Sequence, residues 1–449
     1  MDDHIPETEL SLFAFNPNAF SAERRVYIER HASNCTECGG NLDFYLAGEE
    51  DLADRAVWEP IVGSPKADAM RAFANHVAAE DEEADELLKN YIDKPGKAAW
   101  LDIVKQREFH TGGVVRRLNA LAHSIVADNP LTALTFADKA VAVAEILPDD
   151  AYPNNAIYEL RGTAWKERAN ALLRLAQLDE ALQSLRRAER AYGHLMSTGR
   201  GLASVELVRA AVYYQRGELQ KADFHAERAE HGYAHLGLQR HQMKAVQQRG
   251  QIKYEAAEYE AAAAIFERVI EYGEEIGDAA WMARGSYCRG ACQLERGEIA
   301  EAAMLFNKAL VIFREVGPAS ERTSTEWGLA RVVLYGGNAG EAARRLRGVI
   351  VAFEGLGMVS DAALAGVDMC EALLVLERYA DIAKVASHSF RVLKKAGILT
   401  GALTALAYIK EAAAKRRLRR SGLQSVRKYL LRVEREPELV FIPPPEILD

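Results

Sequence analysis

The chain is poor in the residues that define several protein classes. Only 8% of its 449 residues are aromatic, 13 are proline and five are cysteine. Five cysteines are too few for a disulfide-stabilised scaffold, and no apolar run reaches the roughly 18 residues of a membrane helix. The N-terminus lacks the basic and then apolar layout of a secretory signal. These absences predict a cytoplasmic protein without a membrane span.

Charge and motif content disfavour two functional classes. A net charge of −9 argues against nucleic-acid binding as the main role. The sequence contains no Gly-rich phosphate loop, no Gly-x-Ser-x-Gly and no His-Glu-x2-His. Cys288 and Cys292 have no further His or Cys at metal-binding spacing, so we expect buried thiols there, as at Cys370. The sequence therefore predicts a protein that is not an enzyme.

What the chain does contain is a repeat with a period near 40 residues. Its marker is a small residue in the second half of a predicted helical hairpin, and from Ala181 onward the steps are 41, 40, 40, 40 and 40 residues. The marker positions are Ala133, Ala181, Ala222, Ala262, Ala302, Ala342 and, in a weaker last copy, Ile382. A fixed period of this length is typical of a helical array.

Two further positions of the unit are mostly Ala or Gly. Twelve residues before the marker stand Ala169, Ala210, Gly250, Gly290, Ala330 and Cys370, and five before it stand Ala176, Gly217, Ala257, Gly297, Gly337 and Glu377. Small residues on facing turns let two helices approach closely, and a larger residue such as Leu185 or Phe266 fills the space beside them. Each unit is therefore predicted to be two helices joined by a tight turn. Stacked neighbours bury the apolar faces that one pair cannot.

This arrangement resembles the tetratricopeptide repeat family. The family's consensus positions are matched by Trp165, Ala169, Leu172, Ala181, Leu185 and Ala188. The common unit of that family has about 34 residues, so the longer period here predicts longer helices. The resemblance implies an all-α solenoid over residues 106–400, with a groove that takes a peptide or protein ligand.

Part of a peptide-binding pattern is also present. Lys166, Asn170 and Lys244 partly match the polar residues with which some tetratricopeptide domains hold a peptide carboxylate. Val208 stands where that clamp needs a polar residue. The pattern therefore gives little support for carboxylate binding.

The N-terminal region carries the sharpest chemical motif. His31, Cys35 and Cys38 form His-x3-Cys-x2-Cys at the end of a predicted helix. The i, i+4 spacing puts His31 and Cys35 on one helical face. A lone Cys-x2-Cys is often incidental, but an imidazole and two thiolates together supply three of the four ligands of a tetrahedral zinc ion. The fourth ligand must come from elsewhere in the chain.

The motif and the helix before it resemble the zinc-binding anti-sigma domain of bacteria. The matching segment runs from Leu12 to His31 and continues through Cys35 and Cys38. In that family the fourth ligand lies on or just before the first helix. His4, which stands 27 residues before His31, is the only His or Cys upstream of it. Some family members sense oxidation with an additional upstream Cys. His4 replaces it here, which favours a structural zinc.

The resemblance implies an all-α, zinc-binding head over residues 1–50 that clamps an extracytoplasmic-function sigma factor. Residues 51–105 follow as a helical linker with an acidic run that begins at Glu80. The family resemblance implies that such a helix wraps around the basic surface of the sigma factor. A solvated helix face is the commoner role of an acidic run.

The C-terminal region, residues 401–449, is basic and ends in a Pro-rich tail. Ten Lys and Arg residues lie between Lys410 and Arg435, interleaved with apolar ones. This pattern predicts an amphipathic helix that caps the solenoid. The alternative is a basic patch for nucleic acid or an acidic partner, and in one version that partner is the acidic run from Glu80 to Glu86 in the same chain.

Two functions fit the sequence. The first is a cytoplasmic regulator that sequesters a sigma factor through its zinc head, with the solenoid as a sensor or docking module. The second is a tetratricopeptide scaffold in which the zinc head, with His4, His31, Cys35 and Cys38 as ligands, is only structural.

Overall fold

A computed structural model describes residues 4–5, 10, 13, 22–35, 38, 65–92, 103–152, 156–195, 199–395, 400–433 and 439–443. Within these ranges every regular element is a helix, and no helix has the length and hydropathy of a membrane span. The predicted all-α architecture is confirmed. Residues 14–21 and 39–64, which the sequence assigns to the head and the linker, lie outside the described part.

The helices follow one another with short connections. They are α1 (Ala22–Asn34), α2 (Pro65–Ile92), α3 (Gly112–Ile125), α4 (Pro130–Ile146), α5 (Ala156–Arg174), α6 (Leu178–Tyr192), α7 (Gly199–Gln215), α8 (Leu219–His235), α9 (Gln239–Glu255), α10 (Tyr259–Glu275), α11 (Ala279–Glu295), α12 (Ile299–Val316), α13 (Ala319–Tyr335), α14 (Ala339–Gly355), α15 (Val359–Val375), α16 (Tyr379–Lys395), α17 (Thr400–Ala414) and α18 (Arg420–Val433). Two short 3-10 helices, Ile103–Lys105 and Arg107–Phe109, precede α3.

From α3 to α16 the helices pack as consecutive antiparallel pairs, each against the next. In the regular centre of the array, α7 to α11 are 17 residues long and are separated by turns of three residues. Two such helices and two such turns make the 40-residue unit. The extra length over a common tetratricopeptide unit therefore lies in the helices, as the period predicted.

The repeat positions read from the sequence form the core of the stack. All seven marker side chains are fully buried. The large residues four positions later, such as Phe266 and Phe306, are also buried. Gly250 shows why a small residue is needed twelve positions before the marker, because a Cβ there would lie 2.7 Å from the ring of Phe266.

The small residues five positions before the marker have a different role from the predicted one. Here φ is positive: 57° at Ala176, 76° at Gly217, 60° at Ala257, 83° at Gly297, 89° at Gly337 and 55° at Glu377. In each turn the next residue's N–H bonds back to a carbonyl five residues earlier, as Glu258 does to Lys253. This is the Schellman ending of a helix. A Cβ at Gly297 or Gly337 would meet nothing within 4 Å, so the position is selected for its backbone angle and not for close approach.

The acidic helix α2 is docked on the first helix of the array. Arg116 of α3 binds Glu80 at 3.0 Å and Asp81 at 2.8 Å, and Arg117 binds Asp85 at 2.6 Å. Ala84 and Leu88 of α2 are buried in the same interface. The acidic run is therefore divided between two faces, and Glu82, Glu83 and Glu86 lie on the exposed one.

The docking of α2 is fitted closely around Glu80. The hydroxyl of Tyr152 donates to Glu80 Oε1 at 2.7 Å and accepts from the N–H of Gly112. A Cβ on Gly113 would lie 2.2 Å from the Glu80 carbonyl oxygen. Only glycine at position 113 lets the two backbones approach this closely.

The basic helix α18 covers the far end of the array. It packs mainly against α15 and α17, and its apolar face is buried through Leu423, Val426 and Val433. Its cations pair with α15: Arg420 binds Glu371 at 2.6 Å, and Arg427 binds the buried Asp368. The version in which this helix contacts the Glu80–Glu86 run is wrong, because its cations Arg420 and Arg427 pair with α15 and the run is docked on α3 at the other end of the array.

Ala262→Phe should lower the free energy of unfolding by roughly 1 to 3 kcal/mol, because it overpacks a contact between paired helices. Ala264, two residues on and exposed, supplies the matched control, and Ala264→Phe should be nearly silent. Denaturant unfolding of both variants measures the difference. Equal stability of the two would contradict the repeat register.

Ala257→Gly should stabilise the protein, because Ala257 holds a φ of 60°. The left-handed region costs a non-glycine residue about 1–2 kcal/mol. The greater conformational freedom of Gly in the unfolded chain reduces the gain in stability by about 0.4–1 kcal/mol. We expect a net gain of about 0.5–1 kcal/mol in denaturant unfolding. Ala264→Gly, inside a helix, should instead lose about 1 kcal/mol. A loss at both positions would contradict the assigned turn.

Candidate metal centre

The fold brings the four metal-ligand candidates from the sequence together. One donor atom from each of His4, His31, Cys35 and Cys38 lies within 4.8 Å of the other three. His31 lies in the last turn of α1, and Cys35 directly follows that helix. His4 lies in the N-terminal segment that precedes α1 and contacts Cys35. The i, i+4 spacing therefore brings His31 and Cys35 together. His4, which is 31 residues from Cys35 in the sequence, joins them through the fold.

The distances within the cluster suit zinc. His4 Nδ1 lies 3.3 Å from Cys35 Sγ and 3.6 Å from Cys38 Sγ. Bonds of about 2.0–2.3 Å at tetrahedral angles would separate neighbouring N and S ligands by about 3.3–3.8 Å. Two imidazoles and two thiolates are also a common ligand set of structural zinc.

Two further observations favour a metal over an ordinary polar cluster. His31 Nε2 is buried and has no hydrogen-bond partner among the described residues, which is costly unless something binds it. The N–H of Ile5 points at Cys38 Sγ at 3.3 Å, and such a donor stabilises a thiolate and orients a ligating sulfur. The residues present therefore fit a zinc ion held by His4, His31, Cys35 and Cys38.

The described part of the core around the cluster consists of a few residues. Among the described residues it consists of Ile5, Leu10, Phe13, Ile28 and the Cys38 side chain, with Ala32 and Cys35 beside it. Helical heads of this length usually bury too little apolar surface to fix a fold alone. Metal binding would supply the missing folding free energy, as in other small zinc modules.

The surroundings of the other three cysteines disfavour the thiolate. Burial raises the pKa of Cys288 and of Cys292 to about 12, and it also raises the pKa of Cys370. Within the part of the chain that the structure describes, the N-terminal group is the one His/Cys cluster with metal-binding geometry. Cys292 and Cys370 are buried as the sequence predicted, whereas Cys288 is only half-buried.

The partial carboxylate clamp is occupied from within the chain. Lys166 Nζ lies 2.7 Å from Glu167 Oε1, and Asn170 donates to Glu167 Oε2 at 2.9 Å. His123 approaches the same oxygen at 3.3 Å. Burial opposes ionisation of Glu167, but the hydrogen bond from His123 and the charge of Lys166 outweigh it and lower the pKa of Glu167 to about 2. This carboxylate is therefore charged and already satisfied.

Comparisons with known proteins support the fold but assign the chain to no family. No protein-family model matches the chain, and no curated protein matches it either. Among solved structures it is similar to aspartyl phosphate phosphatase F from Bacillus subtilis, with a TM-score of 0.51 and 15% identity over 88% of this chain and 95% of that one. A Rap protein complexed with competence and sporulation factor matches with a TM-score of 0.46 and 16% identity, over 80% of this chain and 99% of that one. The first likeness supports the helical-repeat architecture.

Purified full-length protein should contain about one zinc ion per chain, and Cys35→Ser should abolish it, because a site with two remaining nitrogen ligands and one sulfur binds zinc weakly. Elemental analysis of protein prepared under reducing conditions measures the content. Cys288→Ser, outside the cluster, is the control and should keep its zinc. Metal-free wild-type protein would show that the cluster is not a zinc site.

His4→Ala should lower zinc affinity about tenfold or more, since even outer-shell partners of metal ligands are worth about 10–100-fold. Competition with a chromophoric chelator measures the affinity. Unchanged affinity would assign the fourth position to another group.

Proposed function

We propose that the protein is a non-catalytic regulator that sequesters a sigma factor of the extracytoplasmic-function type through its zinc head. The observation that carries this proposal is the convergence of His4, His31, Cys35 and Cys38 at zinc-ligand distances. The order and spacing of these residues resemble those of the zinc-binding anti-sigma domain. Inhibition would be steric, because the head would cover surfaces that the sigma factor needs to bind core polymerase.

The solenoid would serve as the sensor or docking module of this regulator. Stacked helix pairs form extended surfaces suited to peptides and proteins. The exposed acids of α2, Glu82, Glu83 and Glu86, offer a negative face to a basic partner. The likeness to aspartyl phosphate phosphatase F, at 15% identity, transfers no activity to this chain.

The second candidate is a scaffold that binds proteins through the array and uses the zinc head only as a folded terminus. The docking of α2 favours it. Glu80, Asp81 and Asp85 are engaged with α3, so the inner acidic face is not free to wrap around a partner while α2 stays in place.

Tagged full-length protein should capture an extracytoplasmic-function sigma factor on co-expression, and Cys35→Ser should abolish the capture because the head loses its metal. Glu83→Lys should weaken capture and make it less sensitive to salt, since it reverses one charge of the exposed α2 face. Glu315→Lys, at an exposed position in α12, is the matched charge control. Capture that survives Cys35→Ser, or none at all, would favour the scaffold.

A further inference from the structure

A cavity of about 470 Å³ opens where α2 meets the array. It lies between α2, α3 and α5, and Tyr152 forms part of its wall. Its apolar lining comes from Phe73, Val77, Ala120, Ala156 and Leu160. The volume falls within the range of small-molecule sites, and such sites combine an apolar body with a few polar groups.

Two of the donors that line this cavity, Arg116 and Thr163, are already used. The Arg116 guanidinium donates to Asp81, to Glu80 and to the carbonyl of Val77 at 3.3 Å. Thr163 Oγ1 lies 3.0 Å from Tyr192 Oη. A ligand that needs the Arg116 guanidinium as its donor would therefore have to break existing contacts.

The cavity has unused acceptor capacity. Asn119 is only 6% exposed, and its Oδ1 is buried with no hydrogen-bond partner in the described part of the chain. The Glu159 carboxylate lies exposed at the rim, and among the described residues it forms no ion pair. A buried acceptor without a donor is costly, so both groups favour a ligand that brings N–H groups and positive charge.

We propose that this cavity binds a small amphipathic cation, with an ammonium or guanidinium group near Asn119 and Glu159 and an apolar body against Phe73 and Leu160. Phe73 and Val77 belong to α2, whereas Asn119, Glu159 and Leu160 belong to the array. The ligand therefore bridges the two and stabilises the docked position of α2.

If the proposed function holds, a ligand in this bridging position would regulate the binding of the sigma factor. A bound cation holds the inner acidic face of α2 on Arg116 and Arg117, so that face is withheld from a basic partner. The ligand would thus oppose sequestration without contacting the zinc head.

The binding test uses three probes of similar shape: 2-phenylethylamine, 2-phenylethanol and 3-phenylpropionate. Calorimetric titration of the full-length protein should give saturable binding of the amine, about tenfold weaker binding of the alcohol and none of the anion, because a charged donor to these acceptors strengthens the contact. Asn119→Leu should reduce the preference for the amine over the alcohol. Equal binding of all three probes, or none, overturns the proposal.

A variant that fills the cavity tests whether the amine binds there. Ala120 is exposed and lines the cavity, so Ala120→Phe blocks it without disturbing the core. Amine binding should be lost in Ala120→Phe and kept in Ala234→Phe, a control at an exposed position in α8. Binding that survives Ala120→Phe overturns the assignment.

Hydrogen exchange tests the bridge separately from the partner. The amine should slow amide exchange across residues 71–89 of α2 in the wild-type protein and leave it unchanged in Ala120→Phe. Unchanged exchange in the wild type with saturating amine overturns the bridging role. These readouts need no sigma factor, so failure of sigma capture alone would count against the proposed function and leave the cation site standing.

Discussion

Each helix pair of this protein has two apolar faces, and it can bury the second only against the next pair. This constraint accounts for the array as a whole. The small markers from Ala133 to Ala342 are buried because neighbouring helices come close at those points. It also accounts for the two ends, where the stack would otherwise leave an apolar face in water. At one end α2 covers the first pair, and at the other α18 covers the last. Both covering helices are anchored by ion pairs to the helices beneath them.

The sequence predicted the architecture well because the same packing contacts recur in every repeat. A period of 40 residues with small residues at fixed positions indicates a helical array even when the contacts of each residue are unknown. The positions around Ala176 and Glu377 were misread for the same local reason. Small residues satisfy both close packing and a positive φ, and composition alone does not separate the two. Glu377, which is neither small nor flexible, was the signal that a backbone conformation is repeated there.

The metal cluster and the acidic helix show which contacts could not be predicted from short-range sequence patterns. His31, Cys35 and Cys38 were found from spacing within one helix and its end, whereas His4 was named only through the resemblance to a family. The structure places it 3.3 Å from Cys35 Sγ. The partners of the acidic run could not be read in the same way, because Arg116 and Arg117 lie more than 30 residues away along the chain. The cavity beside them was missed too, since its walls come from three separate helices.

The contact between Gly113 and the Glu80 carbonyl has a consequence for any chain with this arrangement. A side chain of any kind at position 113 would push α2 away from α3, and the ion pairs of Arg116 would be lost together with the contact. The close approach of the two helices therefore depends on a position that contributes no side chain at all. Even the smallest enlargement there, a single methyl group, could be accommodated only by moving a whole helix.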